Sequence, residues 1–382
     1  MKTLAISGID GTGKSQQIRL LRAFNPAVFY CHEPLISYGD NWPRLQGREM
    51  AKWWFEDATI DDFITIILEA LRLRRNSRIP GKINVYDRGD RMFVAVCIAN
   101  WMTRSDLSIE EVHARVMARF LTEFSFDETE TEILLMPDDN YRKKISIYLR
   151  TLGDDKNEYT EAEEHRYEKY QVSLIKAMDI VYNSVGVSRV NVDDSIVAVQ
   201  NKIRKLINDL IKVNMTVLGK GVRKIIGFGG LSESGKSSFA ELLRAEHGFC
   251  RLKQRYFIER ISERGEYFSP ESFALEFLRF AETHYYAPDY TLESLHDPQI
   301  PAYMKLFWGD RYKIIFIEAS KDVRLKRTCE EAGLTGIEAS AILNNKDDVK
   351  LSRGAEFVKN IADQIIVNEH VSVRDNRSLV LK

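Results

Sequence analysis

Two octapeptides of this 382-residue chain set glycine, lysine and serine at a spacing suited to holding phosphate. They are Gly8-Ile9-Asp10-Gly11-Thr12-Gly13-Lys14-Ser15 and Gly230-Leu231-Ser232-Glu233-Ser234-Gly235-Lys236-Ser237. Both fit G-x-x-x-x-G-K-[ST]. Glycines such as Gly8, Gly11, Gly13, Gly230 and Gly235 let the backbone curl, so that successive N–H groups point inward at phosphate oxygens. The helix that follows adds its positive N-terminal end. In this chemistry Lys14 and Lys236 neutralise the β- and γ-phosphates of ATP, and the hydroxyls of Ser15 and Ser237 ligand Mg²⁺. Asp10, Ser232 and Ser238 complete the candidate nucleotide-binding set.

Such loops act only when a strand carries them and a helix follows. Leu4-Ala5-Ile6 precedes the first loop and Ile225-Ile226-Gly227-Phe228 the second, which predicts one α/β unit built twice. Residues 195–213 carry apolar side chains at helical spacing, and a glycine-containing connector follows. The expected domains are therefore 1–214 and 223–382, joined by a linker at 215–222. Strands are predicted at 27–31, 83–86, 132–136, 313–317 and 364–367, and a helix at 60–75. Strands alternating with helices imply parallel sheets with helices on both faces.

Composition bounds the function. Fifty-five basic and 56 acidic residues leave a net charge of −1, which argues against a protein that coats nucleic acid electrostatically. The four cysteines, Cys31, Cys97, Cys250 and Cys329, are far apart and form no C-x-x-C pair, so neither a disulfide framework nor a structural zinc site is expected. No apolar run approaches the ~18 residues of a membrane span. The N-terminus lacks the pattern of a signal peptide. The chain reads as cytoplasmic, with no membrane partner.

The first loop, together with Glu33-Pro34 and Asp87-Arg88 at later strand ends, resembles the thymidylate kinase family, and the deoxynucleoside kinases share a similar glutamate–proline and acidic–arginine pair. The resemblance covers most of residues 1–212. It implies a nucleoside monophosphate kinase-like fold with a five-stranded parallel sheet and a lid. It further implies that Arg88 holds the acceptor's phosphate, that Asp87 lies near Mg²⁺, and that Glu33 lies beside the acceptor. Arg142 and Arg150, in the basic run after the strand at 132–136, become the candidate lid cations. The residues that read thymine in that family are missing after Asp87-Arg88, and its Arg-Glu-Pro-Gly-Gly is reduced to His32-Glu33-Pro34-Leu35-Ile36. Phosphate chemistry is retained while acceptor recognition is rebuilt.

Residues 223–370 resemble dephospho-coenzyme A kinases and phage-type deoxynucleotide kinases, through the second loop, Ile314 to Ser320 with Arg324 and Arg327, and Ala362 to Asn368. In those families the arginines after the fourth strand belong to the lid. Arg324 and Arg327 sit at i and i+3 on one helix face, so both are expected to point inward, with Arg353 a further lid contact. The aromatics Tyr256, Phe257, Tyr267, Phe268, Tyr285, Tyr286 and Tyr290 read mainly as core or pocket wall. Trp53-Trp54 reads as packing. His296-Asp297 follows an expected third strand, Tyr290 to Leu295. Asn345-Lys346-Asp347-Asp348 matches the guanine-reading N-K-x-D, but no D-x-x-G lies between Lys236 and Asn345, which argues against a switch.

The fold class expected is α/β, with two tandem P-loop NTPase domains of the nucleoside monophosphate kinase kind. The reaction expected is ATP- and Mg²⁺-dependent phosphoryl transfer. Its acceptor stays open at this point. A nucleoside monophosphate would make Arg88 essential. A hydroxyl on a nucleoside, a natural product or a modified DNA base such as hydroxymethyluracil would make Glu33 the general base. A third reading has one domain only regulating its partner. A monomer and a homodimer are both compatible with the sequence.

Overall fold

The computed structural model describes residues 2–45, 47–137, 161–183, 185–284 and 286–369. The chain divides into two compact units, one reaching Thr216 and the other resuming at Val217. The first is built on five parallel strands: β1 (Thr3–Gly8), β2 (Phe29–Cys31), β3 (Ile83–Asp87), β4 (Glu130–Met136) and β5 (Ser188–Asn191). Their order across the sheet is β2-β3-β1-β4-β5. The second has β6 (Lys224–Gly229), β7 (Cys250–Lys253), β8 (Asp289–Leu295), β9 (Tyr312–Glu318) and β10 (Gln364–Val367), also all parallel, in the order β10-β9-β6-β8-β7. Counted from its own first strand, each sheet has the same order. These are two tandem parallel sheets flanked by helices, as duplicated P-loop NTPase-like domains require.

In both units the glycine loop leaves the central strand, where chain connections depart to either side. Ligands of open α/β sheets sit at such a point. All six residues of β1 are buried, because helices cover both faces. On one face Leu4, Ile6, Val85 and Leu135 pack with Val199, Ile203 and Ile207 of the helix Ile196–Ile211, whose apolar residues recur every three or four positions. On the other face the helix Asp90–Met102 is buried along most of its length. It lies in one core with Phe63 and Ile67 of the helix Ile60–Asn76, Val112 of Ile109–Glu123 and Leu174 of Glu161–Tyr182. In the second unit Phe228, Phe239, Leu243, Ile317 and Ile366 form one core cluster.

The aromatic stretch of 250–300 divides by exposure. Phe257 and Tyr290 are fully buried and meet Phe277 edge-on or tilted. Tyr267 and Tyr286 are exposed, Phe268 is half-buried, and Tyr285 lies outside the described residues. The N-K-x-D match falls inside the helix Gly336–Ser352, with Asp347 buried. It is part of a packed helix, not a base-reading loop. No helix among the described residues is long and apolar enough to cross a membrane.

The exit from the central strand has no room for a side chain. A Cβ on Gly8, whose φ is +148°, would lie 2.6 Å from the Leu135 carbonyl oxygen. A Cβ on Gly230, with φ +131°, would collide with the Ile317 carbonyl. Both obstacles are backbone of the neighbouring strand and cannot rotate away. Gly8→Ala and Gly230→Ala are each expected to cost at least about 1–3 kcal/mol, read as a lower denaturant midpoint in equilibrium unfolding.

Candidate functional site

The first loop is wound by left-handed glycines, Gly11 at φ +79° and Gly13 at φ +80°, and Gly13 caps the helix Lys14–Phe24. Lys14 is buried, and its Nζ donates to the Ile9 carbonyl at 2.8 Å. Burial, reinforced by the charge of Arg88, pulls its ammonium down to about 8. Ser15 Oγ donates to Asp87 Oδ2 at 2.8 Å, which joins the loop to the end of β3. Asp87 Oδ1 has no hydrogen-bond partner among the described residues.

Arg88 follows Asp87 with φ +69°, a left-handed conformation that a long side chain adopts only when its surroundings impose it. Its N–H donates to the Ile6 carbonyl at 3.0 Å, and its own carbonyl accepts from buried Arg74 Nη1 at 2.9 Å. The next amide, Gly89 N–H, donates to Ser7 Oγ at 2.9 Å, and Asp90 N–H donates to Glu130 Oε1 at 3.1 Å. Ser7 Oγ in turn donates to Glu132, and Tyr182 OH donates to the same carboxylate oxygen at 2.6 Å. A Cβ on Gly89 would lie 2.6 Å from the Oε1 atoms of both Glu130 and Glu132. Burial, followed by the charges of Asp90 and Glu132, pushes Glu130 well above the usual carboxylate range. Burial likewise raises Glu132.

So held, the Arg88 guanidinium reaches Asp10 in the loop. Asp10 also accepts from Gln171 Nε2 at 3.1 Å and Tyr167 OH at 3.2 Å. Burial works to raise its pKa, but the charges of Arg88 and Lys14 prevail and hold it below its ordinary value. Beside this pair opens a cavity of 390 Å³ whose walls include Trp54, Phe55, Phe93 and Tyr170. Trp54 stacks on Trp42 at 6.3 Å and meets Phe63 edge-on, so it packs as expected and also lines this space. Glu33 is exposed beyond the end of β2 and is not among the residues lining the cavity. Arg142 and Arg150 lie outside the described residues.

The second loop repeats the first. Lys236 Nζ donates to the Leu231 carbonyl, as Lys14 does to Ile9. Glu233 takes the position of Gly11 and is left-handed too, at φ +58°. Arg327 Nη1 holds its carbonyl at 2.9 Å, and Lys346 approaches its carboxylate at 3.5 Å. Burial, then the charge of Lys350, pulls Lys236 down to about 7. Ser237 Oγ donates to Glu293 Oε2 at 2.8 Å. Asp87 pairs in register with Ile6, and Glu293 with Phe228. Each of those partners lies two residues before its loop's first glycine, so Glu293 is the counterpart of Asp87. Ser294, at φ +73°, is then the counterpart of Arg88.

Of the expected arginines, Arg324 is buried under the second loop. Its Nη1 donates to the Ser232 carbonyl at 3.2 Å and pairs with Asp347 at 2.5 Å. Arg327 lines a 1390 Å³ cavity together with Lys236, Ser237, Ser238, His296 and Arg353. Sequence reasoning missed Glu293, Lys350 and Asn368. Lys350 Nζ donates to Ser232 Oγ at 2.6 Å, and Asn368 Nδ2 to the Ser234 carbonyl at 2.8 Å. Glu293 left a signal, a lone acid near the end of the apolar run Tyr290 to Leu295. Asn368 closes the run Ala362 to Asn368 that carries the resemblance, but that run does not reveal its role at the loop. Lys350 left no signal, since it reaches the loop only by folding.

Among the described residues no group of three or more His, Cys, Asp or Glu side chains is placed to hold a metal ion. The first unit nonetheless fits a Mg²⁺ brought with a polyphosphate, through the Ser15 hydroxyl and Asp87 Oδ1, which accepts no hydrogen bond among the described residues and has only Arg88 Nη1 at 3.9 Å. In the second unit both oxygens of Glu293 are taken, because Arg251 donates from Nε to Oε1 and from Nη2 to Oε2, the latter at 3.2 Å. That site does not fit the ion as it stands.

No protein-family model and no curated protein matches the chain. Solved structures give only weak, partial likenesses. Thymidylate kinase from Candida albicans is 13% identical over 56% of this chain and 96% of that one, with a TM-score of 0.39. Shikimate kinase from Bacteroides thetaiotaomicron is 17% identical over 41% and 99%, with a TM-score of 0.27. An uncharacterized protein from Eubacterium ventriosum is 16% identical over 41% and 95%, with a TM-score of 0.32.

The support under Arg88 can be tested by stability. Glu132→Leu strands the hydroxyls of Ser7 and Tyr182, at about 1–3 kcal/mol for each, whereas Glu132→Gln keeps an acceptor for both. A carboxyl whose folded pKa is raised contributes stability that is complete below the ordinary glutamate range and is lost as pH rises through the raised value. Thermal unfolding from mildly acid to mildly alkaline pH should therefore show Glu132→Gln losing less stability with rising pH than wild type.

Proposed function

We propose that the first unit is an ATP-dependent phosphotransferase whose acceptor carries a phosphate, most simply a nucleoside monophosphate. The observation that carries this is the junction of the loop with the end of β3. Ser15 meets Asp87 at 2.8 Å, and the adjacent Arg88 is turned by its backbone conformation toward the aromatic-walled cavity. Lys14 and the loop amides hold the β- and γ-phosphates. Ser15 and Asp87 would hold Mg²⁺, which when bound neutralises charge between those phosphates. Arg88, charged at every working pH and forked, suits an acceptor phosphate. The flat walls offered by Trp54, Phe55 and Phe93 suit a base.

In the reaction an oxygen of the acceptor's phosphate attacks the γ-phosphorus in line. The bond from that phosphorus to the β–γ bridging oxygen breaks, and ADP leaves with the electron pair. The attacking oxygen is already anionic, so no general base is required. Catalysis then consists of positioning and charge neutralisation. The exposure of Glu33 away from the cavity favours this reading over a hydroxyl acceptor. The second unit is read as a further nucleotide site on the same plan.

The test is transfer of radiolabelled γ-phosphate from ATP to a panel of nucleoside monophosphates, nucleosides and hydroxymethylated DNA. Label is expected in a monophosphate. Lys14→Ala should lower kcat by at least about 10²-fold. Arg88→Ala should lower kcat/KM for that acceptor by about 10²-fold, with Arg88→Lys recovering only part, because an ammonium lacks the forked geometry. Label found only in a hydroxyl acceptor would overturn the reading and move the chemistry to Glu33.

A further inference from the structure

We propose that the second unit binds a nucleoside di- or triphosphate without a divalent cation, its own side chains taking the place that Mg²⁺ has in the first. The proposal rests on the reading of both glycine loops as nucleotide sites.

The two carboxylates compared are equivalent in the fold, and each accepts a loop serine at 2.8 Å. They differ in what else reaches them. Asp87 keeps one oxygen without a hydrogen bond, approached among the described residues only by Arg88 Nη1 at 3.9 Å, beyond hydrogen-bonding distance. Glu293 is 1% exposed, and the Arg251 guanidinium spans both of its oxygens. Arg251 is fixed from behind as well, by Nη1 on Glu241 Oε2 at 3.0 Å. The substitution that brings it can be located. Arg251 pairs in register with Thr291, two residues before Glu293, and Cys31 pairs with Val85, two residues before Asp87. An uncharged thiol in one unit is thus a guanidinium in the other. Mg²⁺ demands near-octahedral oxygen ligands and dehydrates reluctantly. To use Glu293 it would have to displace a charge-assisted, bidentate pair whose carboxylate is buried and whose guanidinium is partly exposed, which is unfavourable.

The charge that Mg²⁺ would bring is already present. The cavity over the second loop is lined by Lys236, Lys326, Arg327, Lys346, Lys350 and Arg353, against the carboxylates of Glu233, Glu330 and Glu369. Two of those acids are matched within the wall, Glu233 by Lys346 at 3.5 Å and Glu330 by Lys326 at 3.9 Å, and Glu369 accepts from Ser320 Oγ at 2.6 Å. A net excess of cations is left facing the space above Lys236. His296 lies in the same wall, and burial, followed by the charges of Lys350, Lys236 and Arg353, pushes its imidazole down to about 3.

The experiment titrates mant-ATP, followed by fluorescence, into full-length variants with one loop disabled, in EDTA or in excess Mg²⁺. Lys14→Ala leaves only the second loop competent, and its dissociation constant is expected to differ by less than about threefold between the two conditions. Lys236→Ala leaves the first, and removing Mg²⁺ is expected to weaken it by at least about tenfold, because Ser15 and Asp87 would hold the ion and its charge would offset that of the phosphates. Adding Arg251→Gln to Lys14→Ala should make Mg²⁺ tighten binding by about tenfold or more, whereas Arg251→Lys, which keeps the charge, should not. A Lys14→Ala protein that binds only with Mg²⁺ overturns the proposal and leaves both loops standing as nucleotide sites. Absence of mant-ATP binding to wild type in either condition overturns the reading beneath it.

Discussion

The contact between Ser15 Oγ and Asp87 Oδ2 ties two distant stretches of chain, one opening a helix and the other ending a strand. Everything around it serves to bring those atoms together. The central strand must be buried on both faces to fix the loop's origin. Gly8 must pass against the Leu135 carbonyl without a side chain. The strand beside β1 must end with its acid in register with Ile6. Once these conditions hold, the residue after the acid is forced into a left-handed turn, and its side chain is delivered across the loop. A parallel sheet can meet all of these conditions at once because its strand ends and loops gather on one edge.

That turn explains a buried polar network that would otherwise be a poor use of core space. Arg74, Ser7, Glu130, Glu132 and Tyr182 lie behind the strand ends and bind the backbone or one another, and three backbone groups of the turn at Arg88, Gly89 and Asp90 end on them. Carboxyls in such a place favour the neutral form, as their raised pKa values show. Their work is to pair amides and hydroxyls that would be costly if left unpaired. The strain of a positive φ at arginine is held in place by this network.

The second unit shows which parts of the plan are fixed and which vary. The loop lysine on a loop carbonyl, the serine on a strand acid and the left-handed residue after that acid all recur. The charges placed on this frame do not. Asp10 and Arg88, an ion pair in the first unit, become Ser232 and Ser294, so both partners change together. Cys31 becomes Arg251. The frame is set by backbone sterics and hydrogen bonding, which tolerate few alternatives. The charges sit on side chains that project from it and vary without disturbing the sheet.

The sequence by itself determined both loops, their supporting strands and the α/β class. It also singled out Asp87-Arg88 at a strand end, because each of these is a local pattern of glycines, apolar runs and strand-end residues. The long helix Ile196–Ile211 and the strands from 83, 312 and 364 were legible for the same reason. What only the tertiary structure decided is which distant side chains reach the loops. Glu293 became a loop partner through the pairing of β6 with β8, Lys350 and Asp347 through the packing of a helix against the loop, and Arg251 through a neighbouring strand. The equivalence of Ser294 with Arg88, and so the loss of the ion pair from one unit, is visible only once the strands are in register. Periodicity along a chain reports which face a residue takes, whereas the partner it meets across a sheet depends on strand order and register.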